Sequence, residues 1–326
     1  MPRSASEKLR RFLEQFSGND SVLVLINADP DAIASAMAIR RLLWHKVENI
    51  AIGHINAIKR PDNIAMIRLL GVKMTHVDNI DAAQYNRIVI VDSQPDHNKA
   101  FAKFTPHVVI DHHPDTRVKA AFVDIRPKYG ATASIMTEYL RAARIKPSVK
   151  LATGLFHAIK TDTSDFERQT LIEDVRAFQF LFRHANAHLA RKIEQAELKL
   201  DFLKYYKTAL QDMRLRKNKV YAHLGQVSSP DVCVLIADFF MRVQSVTWSI
   251  ISGTHDKKLT IILRNDGIRK NAGTVAAKGF GQIGSAGGHK SMARAEISLT
   301  DLKEIVDHKD TKKLHRWIIN KIEHRA

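Results

Sequence analysis

The sequence predicts an α/β fold in two domains, and three observations lead there. Short apolar, β-branched runs alternate with helical patterns through the first part of the chain. A helical stretch with few breakers occupies the middle. Strand-like segments then return before a last helix. Such alternation argues for a parallel sheet covered by helices on both faces. A length of 326 residues suits about two domains.

The first element is "MPRSASEKLRRFLEQF", whose periodicity predicts an amphipathic helix without the apolar core of a secretory signal. The runs "VLVLIN" (22–27), "NIAIGHI" (49–55), "VKMTHV" (72–77), "RIVIVD" (87–92) and "HVVIDH" (107–112) predict buried parallel strands. Helices are expected between them at 31–45 and 61–70, and then at 131–145 and 148–163, with Pro147 breaking the last two apart. The charged segment "AHLARKIEQAELKLDFLKYYKTALQDMRLRK" predicts a helix joining two domains, or a solvated surface helix within one. Beyond it, "KVYAHLGQV", "SVTWSIISG" and "KLTIILRN" have strand character and "DVCVLIADFFMRV" that of a helix. A glycine-rich stretch, "GFGQIGSAGGHKSMARAEISL", and a basic amphipathic helix, "DTKKLHRWIINKIEHR", complete the pattern. The expected boundaries are a first domain over 1–188, a connecting helix over 189–212 and a second domain over 213–326.

Hydrophobic residues make up 45% and charged residues 26%, a globular composition with no run of the ~20 apolar residues needed to span a bilayer. A single cysteine, Cys233, rules out an internal disulfide framework and fits a reducing, cytoplasmic setting. The formal net charge is +17, a surface that attracts polyanions and raises their encounter rate. Nucleic acid, nucleotides or other phosphate esters are the natural partners, without stable membrane association. Trp44, Trp248 and Trp317 read as core side chains more readily than as base-stacking platforms.

The chemistry lies at the strand ends. Asp29 and Asp31 flank Pro30 just past the first strand; either could cap the next helix, though two such carboxylates exceed what capping needs. Asp92 ends the "RIVIV" strand. Asp111, His112 and His113 end another, and Asp162 closes an apolar helix or opens the loop after it. In parallel sheets ligands bind beyond the carboxyl ends of the strands. Mixed carboxylate and imidazole donors in one cleft suit Mn²⁺ or another divalent ion better than a structural Zn²⁺ site. Two ions about 3.5–4 Å apart could share a carboxylate and activate a water for attack on phosphorus.

The segments "ADPDAIAS" (28–35), "VIVDS" (89–93), "VIDHHPD" (109–115) and "GLFHAIKTDTSDF" (154–166), with "GSAGGHKSMA" (284–293) downstream, resemble in order and spacing the DHH phosphoesterase family and its associated C-terminal domain. The resemblance implies hydrolysis of phosphoester or phosphoanhydride bonds with about two Mn²⁺ or Mg²⁺ ions. The length resembles oligoribonucleases of very short RNA, which also act on 3′-phosphoadenosine 5′-phosphate, more than the longer RecJ-type exonucleases. It implies Asp92 as the carboxylate bridging the ions; Asp31, His112 and Asp162 as further ligands of one ion; and Asp29 as a ligand of the other. It also implies His113 facing the substrate phosphate, with Asp111 orienting the histidines. Arg264, Gly287, Gly288 and His289 would bind substrate in the second domain, with Lys270, Lys278 and Lys290 adding positive potential. The site would lie in a cleft between the domains, and the chain could form a homodimer.

One position departs from the family pattern. Leu25 stands where many members carry a histidine ligand, and leucine cannot bind an ion. Asn27, through its carbonyl oxygen, or more remotely His54, could substitute. Two functions are therefore expected as rivals: a metal-dependent hydrolase of short oligonucleotides or small nucleotides, including a phosphatase for 3′-phosphoadenosine 5′-phosphate, and a non-catalytic nucleotide or nucleic-acid binder.

Overall fold

The computed structural model describes residues 4–168, 170–195 and 200–323. It divides into two compact units, Met1–Glu197 and Leu198–Ala326.

The first unit opens with α1 (Ala5–Leu13), N-capped by Ser4 and burying Leu9 and Phe12. Then come β1 (Ser21–Ile26), α2 (Pro30–Leu42), β2 (Asn49–His54), α3 (Pro61–Leu70), β3 (Thr75–His76), β4 (Arg87–Val91), β5 (Val108–Asp111) and β6 (Phe122–Ile125). Four helices follow: α4 (Thr132–Ala142), α5 (Val149–Asp162), α6 (Ile172–Phe182) and α7 (Ala187–Glu194). The six strands are all parallel, in the order β3-β2-β1-β4-β5-β6. The chain thus works outward from β1 to β3, then returns to the other side of β1 with β4. This reversal opens a crevice beyond the carboxyl ends of β1 and β4, where open α/β sheets take their ligands.

Both faces of the sheet are buried, which is why its strands read as near-continuous apolar runs. Val22, Val24, Ile26, Val89, Val91, Val108 and Ile110 pack with α2, α4 and α5. On the other face Leu23, Leu25, Ile88, Ile90 and Val109 pack with Ile55 and Phe101. Leu25 is fully buried in this second layer, in register with Gly53 of β2.

The expected strand over 72–77 shrinks to Thr75–His76. Gly71, at φ +69°, ends α3, and the Val72 amide bonds back to Ile67 O, so the preceding residues serve the helix end. The short edge strand β6, "FVDI", was not anticipated; an internal aspartate and an exposed Val123 hide its strand character. Nor is the charged segment one connecting helix. α7 ends at Glu194, and the next helix, α8, is Leu203–Asp212, preceded by a single 3₁₀ turn at 200–202. The part of the expected connecting helix at 196–199 lies outside the described residues.

In the second unit α8 leads into β7 (Arg214–Arg216), β8 (Lys219–Gln226), α9 (Asp231–Phe240), β9 (Trp248–His255) and β10 (Lys258–Asn265). It ends with α10 (Ala272–Phe280), β11 (Ser285–Gly288), β12 (Met292–Ser298), α11 (Leu299–Lys303) and α12 (Thr311–Glu323). The sheet order is β11-β12-β10-β9-β8-β7, antiparallel except for the β8–β9 pair. Ile251, Ile262 and Leu224 pack under α8 and α9; Ile250, Leu259, Ile261 and Leu263 pack under α10 and α12. Cys233 is buried on α9, and burial pushes its thiol up to about 12. Trp248 is buried and Trp317 packs on Phe280, as expected of core aromatics, whereas Trp44 is exposed. No helix among the described residues is long and apolar enough to cross a membrane.

Candidate metal centre

The loop after β1 is clamped before it reaches its carboxylates. Asn56 accepts from the Ala28 amide (2.7 Å) and donates to the Ala28 carbonyl (3.0 Å); Asn63 donates to the same carbonyl at 3.3 Å. Asp29 then caps α2, its Oδ1 accepting from Ala32 N at 2.9 Å. The capping role weighed for the pair therefore belongs to Asp29. Asp31 serves a different helix. Its Oδ2 accepts from Thr132 N (2.6 Å) and its Oδ1 from Ala133 N (2.7 Å), the first amides of α4. The α4 N-cap position is Ala131, which has no capping side chain, so the free amides of one helix are satisfied by a carboxylate on another.

Asp92 follows β4 in the left-handed region, φ +59°, where a residue with a Cβ is strained. Its amide donates to Ile110 O (2.9 Å), and its Oδ1 accepts from Thr132 Oγ1 (2.8 Å). Asp111, fully buried at the end of β5, receives three donors: His112 N (2.8 Å) and His113 Nδ1 (2.8 Å) on Oδ1, and Gln94 Nε2 (2.6 Å) on Oδ2. These bonds, with the charge on His113, outweigh burial and hold its carboxyl below the usual range. The same Asp111 bond raises His113.

The groups converge on His112 Nε2, which lies 3.1 Å from Asp162 Oδ2, 3.6 Å from Asp92 Oδ1 and 4.0 Å from Asp31 Oδ2. Asp162 reaches it from the last residue of α5. The other ring nitrogen, Nδ1, is 3.2 Å from Tyr129 O. A carbonyl only accepts, so Nδ1 carries the proton and Nε2 presents a lone pair to three carboxylates. Nε2 is buried and has no hydrogen bond of good geometry. Such an arrangement requires a positive charge at its centre, either a second proton on the ring or a cation.

The electrostatics carry the same mark. Burial, then the charge on Asp162, pushes Asp29 up to about 6 and Asp31 up to about 7. Burial, then Asp31 and Asp29, raises Asp92 well above the carboxylate range. Burial opposes charge on His112, but Asp162 and Asp31 override it and lift the ring to about 9. Without a cation, the cluster resists its own ionisation. Ligand atoms around one divalent ion with bonds of about 2.1 Å sit about 3 Å apart, close to the Asp162–His112 distance. Among the described residues, two sets of ligand atoms that include His112 fall within 4.8 Å of one another: Asp31, His112 and Asp162, and Asp92, His112 and His113. The donor set therefore fits divalent cations, and Asp31, Asp92, Asp162 and His112 are the residues that would hold one.

Asp29 shares the field of Asp162, His112 and His113, while Asn27 is exposed just past β1. His54 spends its Nδ1 on Asn56 O (2.8 Å) and meets the edge of His76. Leu25 lies within the apolar layer already described. In the second unit Arg264 donates through Nε to Asp238 Oδ1 on α9 at 2.7 Å. Gly287 and Gly288 lie in β11, and His289 N donates to Met292 O at 2.7 Å. A Cβ on Gly273, at the start of α10, would meet Gly288 O at 2.2 Å, so this helix end and the glycine strand touch backbone to backbone. Sequence reasoning missed Thr132, Ala133, Gln94 and Tyr129, which hold the ligands, and His97, whose ring stands 5.4 Å from that of His113. A helix start in "GATAS" with no capping side chain is the signal that could have flagged the first two.

Residues 21–159 match the profile described as the DHH family, N-terminal domain. An uncharacterized protein of Methanocaldococcus jannaschii is 34% identical over 310 residues; the match covers 94% of this chain and 64% of that protein, so the chain spans less than two thirds of its relative. Two crystal structures share the fold. An exopolyphosphatase-related protein from Bacteroides fragilis has a TM-score of 0.73 at 15% identity, covering 98% of both chains. The exonuclease RecJ bound to manganese has a TM-score of 0.51 at 11% identity, covering 100% of this chain and 95% of its own. The carboxylate–histidine centre is built mainly within the segment that matches the DHH-family N-terminal domain, with Asp162 three residues beyond its end.

Proposed function

We propose that this protein is a divalent-metal-dependent phosphoesterase that hydrolyses phosphodiester bonds of short oligonucleotides or small nucleotides. The observation that carries the reading is the lone pair of His112 Nε2 turned to Asp162, Asp92 and Asp31 within 4.0 Å. Asp31, Asp92, Asp162 and His112 would hold one cation, with Asp92 shared toward a second near Asp29. When bound, such cations lower the pKa of a water and draw charge from the phosphoryl oxygens. Asp111 fixes the His113 ring by accepting from Nδ1 and favours its protonated form, in which Nε2–H would donate to a phosphoryl or leaving-group oxygen. The net charge of +17 favours nucleic-acid fragments over inorganic pyrophosphate. Arg264, Gly287, Gly288 and His289 are the substrate contacts proposed in the second unit.

The test is hydrolysis of a labelled RNA dinucleotide and a longer oligomer with Mn²⁺, beside Asp92→Asn. Mononucleotide release that Asp92→Asn abolishes supports the reading, whereas equal product from both proteins refutes it. Release of inorganic phosphate from 3′-phosphoadenosine 5′-phosphate would assign the phosphatase activity instead. Burial of Leu25 favours a second reading, a binder with an incomplete first metal site; about two Mn²⁺ per chain at millimolar metal would support the hydrolase, and fewer would select the binder.

A further inference from the structure

His97 belongs to no motif, yet the structure builds it into the same mouth. It sits on the 3₁₀ turn Pro95–His97 that follows Asp92. Its ring meets His113 edge-on at 5.4 Å, and His113 in turn lies 4.5 Å from His112. Three imidazoles therefore stand in a row beside the carboxylates. The His97 tautomer is set by its surroundings: Nδ1 accepts the Gln94 backbone amide at 3.2 Å, with Ser93 Oγ at 3.3 Å. An amide nitrogen can only donate, so Nδ1 must keep its lone pair and the ring proton resides on Nε2. The support is rigid. Gln94 is fully buried and also bonds Asp111 Oδ2, Pro114 O, Thr116 N and Thr116 Oγ1, at 2.6 to 3.0 Å.

His97, Asp111 and His113 are near enough to share a cation, but their chemistry is wrong for one. Asp111 already holds three donors, and Nδ1 of both histidines is engaged. What this corner offers is N–H groups. Building on the reading that the site takes a phosphate ester, we propose that His97 is a further substrate-contacting residue. Its Nε2–H donates to a phosphoryl oxygen of the ester next to His113. His97 is exposed, which leaves this corner open to substrate.

The test compares wild type, His97→Phe and His97→Gln on the RNA dinucleotide pApA with Mn²⁺. His97→Phe keeps a planar ring without a donor; His97→Gln keeps an N–H. A lost bond to a charged acceptor corresponds to a fall of about 10–100-fold in kcat/KM for His97→Phe. Most of the fall should appear in KM, with partial recovery in His97→Gln and Mn²⁺ affinity by calorimetry unchanged. Hydrolysis by wild type with His97→Phe equal to it overturns the proposal and leaves the phosphoesterase reading standing. Mn²⁺ affinity falling in parallel with kcat/KM also overturns it, because His97 would then only support the metal centre. A wild type that neither cleaves pApA nor binds it by calorimetry overturns both.

Discussion

The Thr132 hydroxyl offers a direct measure of how tightly α4 governs the metal centre. Thr132 is fully buried, and its Oγ1 donates to Asp92 Oδ1 at 2.8 Å while its amide holds Asp31 at 2.6 Å. Thr132→Val removes the first bond and leaves the second, because the backbone and the β-branch remain. A hydrogen bond to a charged acceptor is worth about 1.5–3 kcal/mol. At 1.4 kcal/mol per tenfold, that is roughly 10–100-fold in an equilibrium constant, the range typical of partners that orient metal ligands. Mn²⁺ affinity by calorimetric titration is therefore expected to fall by that factor in Thr132→Val and to return in Thr132→Ser. Unchanged Mn²⁺ affinity in the valine variant, with a wild-type thermal midpoint, would refute the argument that this hydroxyl positions Asp92.

Protonation should oppose metal binding here in a definite direction. Asp29 and Asp31 are raised to about 6 and 7 and His112 to about 9. The folded protein thus holds these protons more tightly than the unfolded chain, and their contribution to metal-free stability falls as pH rises from about 4 to 9. For each group the loss is about 1.4 kcal/mol for every pH unit between its unfolded and folded titrations. Mn²⁺ must displace these protons, so the rise in melting midpoint on adding Mn²⁺ should be larger at pH 8 than at pH 5.5, and an equal rise at both would count against the ligand assignment. Leu25→His places an imidazole in a sealed apolar layer, at a cost of about 1–3 kcal/mol; a lower metal-free melting midpoint is expected, and an unchanged one would show that the side chain escapes that layer. Gly273→Ala drives a methyl toward Gly288 O, so it should weaken binding of a short RNA if Gly287, Gly288 and His289 contact substrate; fluorescence anisotropy with wild-type affinity would argue against that role. If the +17 charge selects oligonucleotides, KM for an RNA pentamer should rise with salt more steeply than KM for a dinucleotide, and equal slopes would exclude a phosphate-backbone track.

How much of this was legible in the sequence depends on whether a group's partner lies nearby in the chain. The strands of the first sheet were readable because both faces are buried, which leaves "VLVLI" and "RIVIV" apolar throughout. The candidate ligands Asp92 and Asp162, and Asp111 that holds His113, were readable because each ends or follows a strand or closes a helix. Their supports were not. Asp31 and the α4 amides it caps are 101 and 102 residues apart, and Gln94 and Asp111 are 17 apart. No periodicity spans such distances. The same fact explains why two carboxylates flank Pro30. Asp29 satisfies the helix that begins there, and a single residue would have sufficed for that. Asp31 instead satisfies a helix that begins a hundred residues later, and that cross-strut aims its carboxylate at His112. A capping rule applied locally therefore explains the first aspartate and leaves the second over. In a strand-to-helix turn of this kind, the surplus carboxylate is the one to test first for metal binding, and Asp31→Asn should cost more Mn²⁺ affinity than Asp29→Asn. If Asp29→Asn proved the costlier change in a calorimetric titration, the distinction drawn here between the capping and the ligating carboxylate would be wrong.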